Sequence, residues 1–199
     1  VLESAAAVAC IPQVLLGYNY DATAVRSAMQ NTVLTDSQIR SRLRTSPPLV
    51  EGILDEAIQI QPCGVDLTVR TVSRFESSGV IEYNNAGRVL SSRDILSWAD
   101  ERVELPPGGY HVVYNEQVNL PCNIMALAYP RSSLLRCGAT IYTAVWDPGY
   151  SGRAEALLVV HNSHGFVLGR NARVAQLVFT LLGTGVQSGY EGRFNNENL

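Results

Sequence analysis

The chain is predicted to be all-β, a sandwich or barrel, and three observations carry that expectation. From Ile58 onward, short runs rich in Val, Ile, Leu and Tyr are separated by Gly, Pro and Asn. No helical periodicity intervenes between most of those runs. The 199 residues, 46% of them apolar, suffice for one substantial core and are expected to form one domain.

Residues 21–44 are the most helix-like part. In LTDSQIRSRL, Thr35 or Asp36 is placed to cap a helix whose Ile39 and Leu43, four residues apart, share one face. Pro47 and Pro48 cannot continue it. Strands are expected at IQIQPCGVDLTVRTV, GVIEYN, GYHVVYNEQVNLP, NIMALAYP, ATIYTAVW, AEALLVVHN, GFVLG and RVAQLVFTLLG. A second short helix is expected at SSRDILSWADE, capped by Ser91 or Ser92.

A net charge of -3 with no basic block excludes a binder of nucleic-acid backbones by bulk electrostatics, so an anionic ligand needs a local site. All 15 basic residues are arginine, whose planar fork suits phosphate and carboxylate, although the absence of lysine is ascribed to genome composition. Cys10, Cys63, Cys122 and Cys137 form no CxxC pair, which points to free thiols in an intracellular protein. The N-terminal VLESAAAVACIPQVLLG is apolar, but Glu3 comes early, no basic region precedes it and Pro12 breaks it. With no run near ~18 apolar residues, a soluble, cytoplasmic protein without a membrane partner is expected.

Five segments hold candidate chemistry. In YPRSSLLRCG, Arg131, Ser132, Ser133 and Arg136 combine guanidinium and hydroxyl donors able to hold phosphate oxygens, or form a solvated helical turn. In PCGVDLTV, Asp66 can meet metal-bound water, since magnesium keeps several waters and takes few carboxylates, or can bond its own turn. Gln176, in the middle of ARVAQLVF, reads as a buried glutamine that needs partners. The tail SGYEGRFNNENL, with Tyr190, Arg193 and Phe194, is either frayed or a lid. His161 and His164 have no third ligand at a metal spacing and read as turn residues.

GVDLTV, PRSSLLR, TAVWDPGYSG, ARVAQLVF and YEGRF stand in the order of the motif series of the dUTPase and dCTP deaminase superfamily. LTDSQIRSRL, IQIQPCGVDL and ELPPGGYHVVYNEQVNLP resemble the deaminase-like branch, and the short tyrosine-bearing arm resembles that branch rather than the glycine-rich tail of standard trimeric dUTPases. The resemblance runs from Leu34 to the end. It implies a distorted jelly roll with short N-terminal helices, a homotrimer with shared sites, an extension over 1–33, a domain over 34–187 and a C-terminal arm over 188–199.

The resemblance also implies roles. Asp147 corresponds to the aspartate that deprotonates the attacking water, and Tyr150 to the residue under the deoxyribose that leaves no room for a 2′-hydroxyl. Ala144 and its neighbours match the reader of the pyrimidine edge. Arg131, Ser132, Ser133 and Arg136 match phosphate ligands, Gln176 a contributor from the next strand, and Asp66 the contact to hydrated Mg2+. Tyr190 and Arg193 match the closing arm.

Three functions remain in play at this point: dUTP diphosphatase, dCTP deaminase with or without dUTPase activity, and a nucleotide-sensing protein without turnover. An unrelated jelly-roll binding module is a fourth. The deaminases place a proton-shuttling glutamate ten residues beyond the position of Asp147. Here that count gives Leu157, or Val159 if two extra residues are allowed, and neither carries a proton. Glu155, the only nearby acid in the sequence, lies a two-residue step of roughly 6.5 Å away and is expected to be solvated or arginine-paired. The expectation is therefore dUTP hydrolysis without dCTP deamination.

Overall fold

A computed structural model describes residues 33–199. The expected extension up to residue 32, Cys10 and the start of the helix-like stretch at residue 21 lie outside the described residues. Within them run three short helices, α1 (Asp36–Arg42), α2 (Glu56–Gln59) and α3 (Ser132–Arg136). The strands are β1 (Val50–Glu51), β2 (Ile60–Gln61), β3 (Gly64–Phe75), β4 (Arg93–Ile95), β5 (Arg102–Leu105), β6 (Gly108–Tyr114), β7 (Gln117–Asn119), β8 (Ile124–Pro130), β9 (Ala139–Tyr142), β10 (Ser151–Gly152), β11 (Glu155–Val160), β12 (Phe166–Gly169) and β13 (Arg173–Leu181).

α1 starts where its sequence places it. Thr35 is the extended N-cap, and Gln38 Oε1 accepts from the Thr35 N–H at 3.0 Å, closing a capping box. Ile39 and Leu43 are both buried, as their spacing requires. Asp36 in the first turn and Arg40 and Arg42 in the last complement the helix dipole.

The main sheet has the order β8-β13-β3-β6-β11-β9, with β2 and β4 also paired to β3. Two smaller sheets, β1-β7-β10 and β12-β5, complete an all-antiparallel, jelly-roll-like β fold. Alternation decides which side chains fill the core. On β11, Ala156, Leu158 and Val160 point inward while Glu155, Leu157 and Val159 point outward. Val65, Leu67 and Val69 from β3, Val112 and Tyr114 from β6, and Leu177 and Phe179 from β13 fill the interior. Irregular pairing interrupts the ladder at Arg173/Ala175 and at Val69/Thr71, and such bulges re-aim a side chain at a sheet's working edge.

Three expectations need correction. The run from Ile58 is not one strand: α2 ends at Gln59, and a hairpin follows in which Ile60 pairs with Val65 and Gln61 with Gly64. Asp55 caps that helix by accepting from the Ala57 N–H at 2.8 Å, a local contact that overrides the β-branched run. GVIEYN makes only an isolated bridge, Val80 to Val89, and leaves Ile81 and Tyr83 exposed, because no strand of the main sheet lies beside it. SSRDILSWADE is not helical. Its Arg93, Asp94 and Ile95 pair with Phe75, Arg74 and Ser73, supplying hydrogen-bond partners to the far end of β3.

One buried carboxylate ties α2, β3 and the β6–β7 turn together. Glu116 is 1% exposed, and it accepts from the Thr68 N–H at 2.9 Å, the Thr68 hydroxyl at 2.6 Å and Gln59 Nε2 at 2.7 Å. Gln59, also buried, donates to the Asp66 carbonyl at 2.9 Å and accepts from the Leu54 and Asp55 N–H groups. All of the groups meeting Glu116 are donors. Glu116→Gln presents an NH2 to one of them, and leaving a buried donor unmatched costs about 2 kcal/mol. The expected result is a melting temperature lower by about 4–8 °C at fixed protein concentration; an unchanged melt would show that the network does not hold the fold.

Candidate active site

Asp147 stands on a turn that its own sequence builds. The Tyr150 N–H donates to the Asp147 carbonyl at 3.1 Å, Pro148 occupies the second position and Gly149, at φ 87°, the third, which makes a type II turn. A side chain at Gly149 would also strike Gly189 and Tyr190, whose backbone passes within 2.7 Å of its position. Just before the turn, Trp146 is buried and exchanges both backbone hydrogen bonds with Ala126 of β8. The turn is thereby pinned to the main sheet, with the Asp147 side chain left exposed.

A cleft of about 270 Å³ opens beside Asp147, lined also by Ala144, Tyr150, Glu155, Tyr190 and Glu197. Tyr150 is 6% exposed, and its ring meets Tyr190 edge-on at 6.0 Å between centroids. Burial, and then the bond to Glu197, raise its hydroxyl pKa far above the ordinary value. Two features of this cleft were not read from the sequence. The arm packs on its own chain: Asn195 Oδ1 accepts from the Ser151 N–H, the Asn196 N–H donates to the Ser151 carbonyl, and Glu197 lies in a parallel bridge with Gly152. The reading of the tail as frayed is corrected, because β10 offers it a free backbone edge. Glu155 is also not the only acid near Asp147, since Glu197 arrives from the tail.

A second cleft, of about 480 Å³, is lined by Arg131, Arg173, Thr68 and Gln59 among others. Two of these lining residues meet on Asp66, which is 1% exposed and takes Arg131 Nε at 3.0 Å and Arg173 Nη1 at 3.1 Å on one oxygen, Oδ2. Burial pushes the Asp66 carboxyl above its ordinary value, against the lowering by Arg131 and Arg173. The other oxygen, Oδ1, has no hydrogen-bond partner among the described residues. Arg131 is the N-cap of α3, which leaves Ser132, Ser133 and Arg136 exposed. Gln176 pairs in register with Asp66 on one side and Tyr129 on the other, and its amide lies 3.8 Å from Cys63 Sγ. It is half-buried rather than buried, because the strand face it shares with the exposed Tyr129 is open.

The structure thus groups Asp147, Ala144, Tyr150 and Tyr190 in one cleft, and pairs Arg131, which lines another, with the buried Asp66. The two clefts have no lining residue in common. Arg193 is exposed on the arm, and His161 and His164 are exposed in their turn as expected. Cys63, Cys122 and Cys137 are free. No group of three metal-ligating side chains exists among the described residues. No helix among them is long and apolar enough to cross a membrane.

Glu155 faces outward, as alternation on β11 predicts, and is arginine-paired. Arg93 Nη1 donates to its Oε2 at 2.7 Å, His111 Nε2 lies 2.8 Å from the same oxygen, and Asn198 Nδ2 donates to Oε1 at 3.2 Å. Leu157 and Val159 share its face and do not line the Asp147 cleft. Burial works to raise the Glu155 pKa, but the hydrogen bonds from His111 and Arg93 outweigh it and hold the group at about 2.

The sequence model of the dCTP deaminase-like family matches residues 33–182. A relative from Methanococcoides burtonii, called probable deoxyuridine 5′-triphosphate nucleotidohydrolase, is 45% identical over 169 residues, 84% of this chain and 99% of its own length. The deoxyuridine 5′-triphosphate nucleotidohydrolase of Methanocaldococcus jannaschii is 43% identical over 137 residues, 68% of this chain and 85% of that protein. The crystal structure of 2′-deoxycytidine 5′-triphosphate deaminase from Agrobacterium tumefaciens shares the fold, with a TM-score of 0.59 at 23% identity over 75% of this chain. The chain spans about half, 48%, of that longer deaminase chain.

The depressed Glu155 pKa has a measurable sign. A carboxylate held below its ordinary value stabilises the fold fully above pH 4.5 and loses that contribution as pH falls towards about 2. Glu155→Gln is expected to lose roughly 2 kcal/mol at pH 7 and to show a flatter loss of stability between pH 4.5 and 2 than the unmodified protein. Parallel denaturation profiles over that window would remove the ion pair as a source of stability.

Proposed function

The chain belongs to the dCTP deaminase-like family, and from that premise we propose that it hydrolyses dUTP to dUMP and pyrophosphate. The observation that carries this reading is that relatives aligned with most of the chain are named deoxyuridine 5′-triphosphate nucleotidohydrolases. The chain is a nucleotide hydrolase acting on a small molecule, and its own residues support the chemistry.

Asp147 takes a proton from the water that attacks the α-phosphorus. The new P–O bond forms as the bond to the bridging oxygen of the β-phosphate breaks, and pyrophosphate leaves with that electron pair. Such a transfer needs an in-line nucleophile, charge neutralisation and exclusion of bulk water rather than covalent help. Arg131, Ser132, Ser133 and Arg136 hold the phosphates, with Gln176 contributing beside them. The backbone at Ala144 reads the pyrimidine edge, Tyr150 underlies the deoxyribose, and Tyr190 and Arg193 close over the nucleotide.

Asp66 suits water-mediated contact with Mg2+ and not direct chelation. One of its oxygens is shared by two guanidiniums, while the other has no protein partner among the described residues. Magnesium retains several waters and takes few protein carboxylates when phosphates supply the rest. When bound, the ion neutralises charge on the triphosphate.

The assembly is a homotrimer with sites shared between chains. Support comes from the clefts: the one beside Asp147 and the one lined by Arg131 and Arg173 share no lining residue in one chain, whereas the reaction needs both sets of groups around one nucleotide. Residues 34–187 form the catalytic domain, 188–199 its arm and 1–33 an extension, in a cytoplasmic enzyme.

Pyrophosphate release and ammonia release, measured side by side on dUTP and dCTP, test the activity. Pyrophosphate is expected from dUTP and no ammonia from dCTP; ammonia from dCTP that is lost in Glu155→Gln would move the protein to the deaminases. Asp147→Asn is expected to keep nucleotide affinity and lower turnover at least about a hundredfold, since an amide cannot accept the proton. Retention of a tenth of the activity would require another base. Light scattering on the active protein is expected to give three times the 21.7 kDa chain mass, and an active monomer would rule out shared sites.

A further inference from the structure

The carboxylate that the arm brings into the Asp147 cleft has a defined partner. The Tyr150 hydroxyl donates to Glu197 Oε1 at 2.8 Å, and the Glu197 backbone is itself fixed by the Arg153 N–H, which donates to its carbonyl at 3.0 Å. On either side, the Asn196 N–H donates to the Ser151 carbonyl at 2.7 Å, and Asn198 Nδ2 to the Arg153 carbonyl at 2.9 Å. The approach depends on Gly152. Its φ is 151°, and a Cβ there would stand 3.0 Å from the Tyr150 hydroxyl oxygen and 3.1 Å from the Glu197 backbone N and O. The chain at Gly152 therefore leaves open the space in which phenol and tail meet.

A tyrosine ring that selects a sugar by leaving no room must not move. Tyr150 is held at its base by the Asp147 turn, at its edge by Tyr190 and at its far end by Glu197. Without the last contact, the ring can rotate or tilt about its Cα–Cβ bond and yield the space that a 2′-hydroxyl needs. We infer that Glu197 is a positioning residue that determines sugar specificity, locking the Tyr150 ring from the C-terminal arm. The inference rests on the reading that Tyr150 underlies the pentose.

The role separates from simple closure of the arm. A loosened arm weakens the binding of dUTP and UTP alike and leaves the ratio of their kcat/KM values unchanged. A freed Tyr150 ring raises the UTP share of that ratio, because only the ribonucleotide gains from the space.

The experiment measures kcat/KM for dUTP and UTP in the full chain carrying Glu197→Ala, Glu197→Gln, Tyr150→Phe, the Glu197→Ala/Tyr150→Phe pair, and Tyr150→Ala. Glu197→Ala and Tyr150→Phe are each expected to raise the UTP to dUTP ratio about tenfold, the scale of one hydrogen bond. The pair is expected to do no more than either alone, since both changes remove the same contact. Glu197→Gln is expected to keep discrimination, because its amide oxygen accepts the same bond. A Glu197→Ala ratio equal to that of the unmodified protein, with Tyr150→Ala relaxed, overturns the role of Glu197 and leaves the sugar reading standing. Glu197→Gln behaving as Glu197→Ala overturns it too. An unchanged ratio in Tyr150→Ala removes the sugar reading itself.

Discussion

The structure depends on satisfying one carboxylate that water does not reach. Glu116, on the β6–β7 turn, draws the Thr68 backbone and hydroxyl and the Gln59 amide to itself, and Gln59 in turn holds the Asp66 carbonyl. A buried charge is tolerated only where donors surround it. Meeting that demand fixes the stretch of β3 from Asp66 to Thr68 against α2, and fixes with it where the Asp66 side chain emerges. Arg131 from the end of β8 and Arg173 from the start of β13 then converge on Asp66, although they lie 65 and 107 residues away along the chain. This end of the sheet is thus built outward from a buried polar knot, and Arg131 and Arg173 are oriented by the carboxylate of Asp66.

In the proposed reaction the two clefts divide the labour. One offers a free carboxylate on a rigid turn beside two aromatic rings; the other offers guanidiniums oriented by an acid. Neither is sufficient alone, since attack on a triphosphate requires the nucleophile's base and the charge-neutralising groups around the same phosphorus. The arm adds a third element. It lies along β10 of its own chain, so its contacts with Tyr150 and Glu155 are available before any partner is present.

What the sequence made legible were features decided within a few residues. Thr35 or Asp36 announces the start of α1 ahead of Ile39 and Leu43, Pro148-Gly149 marks a turn after Asp147, and alternation on β11 sends Glu155 outward. The ordered motifs that single out Asp147, Tyr150 and the arginine-serine segment are legible for the same reason, whatever their roles: each is contiguous. What could not be read were pairings of distant residues. β4 is a strand because the end of β3 lacks a partner, and no pattern within SSRDILSWADE records that. Gln176 looked buried because its strand is apolar, yet its face opens beside Tyr129. Arg93, His111 and Glu197 gave no local signal at all, since each acts only through a partner at least eighteen positions away.

The choice between hydrolysis and deamination rests on strand geometry. Deamination needs an acid at the pyrimidine ring, and on a strand successive outward positions are roughly 6.5 Å apart, so an acid two residues early cannot substitute by small adjustment. Glu155 has even less freedom than that spacing allows. Both of its oxygens are engaged, Oε2 by Arg93 and His111 and Oε1 by Asn198, and its pKa of about 2 makes it a poor carrier of a proton near neutrality. Glu197 carries a raised pKa, chiefly from burial, but its Oε1 is committed to the Tyr150 hydroxyl. Asp147 alone among the three cleft acids is exposed without a side-chain partner among the described residues. On the proposed reading one free base, Asp147, serves water attack on phosphorus, and it is one group short of what removal of an amino group requires.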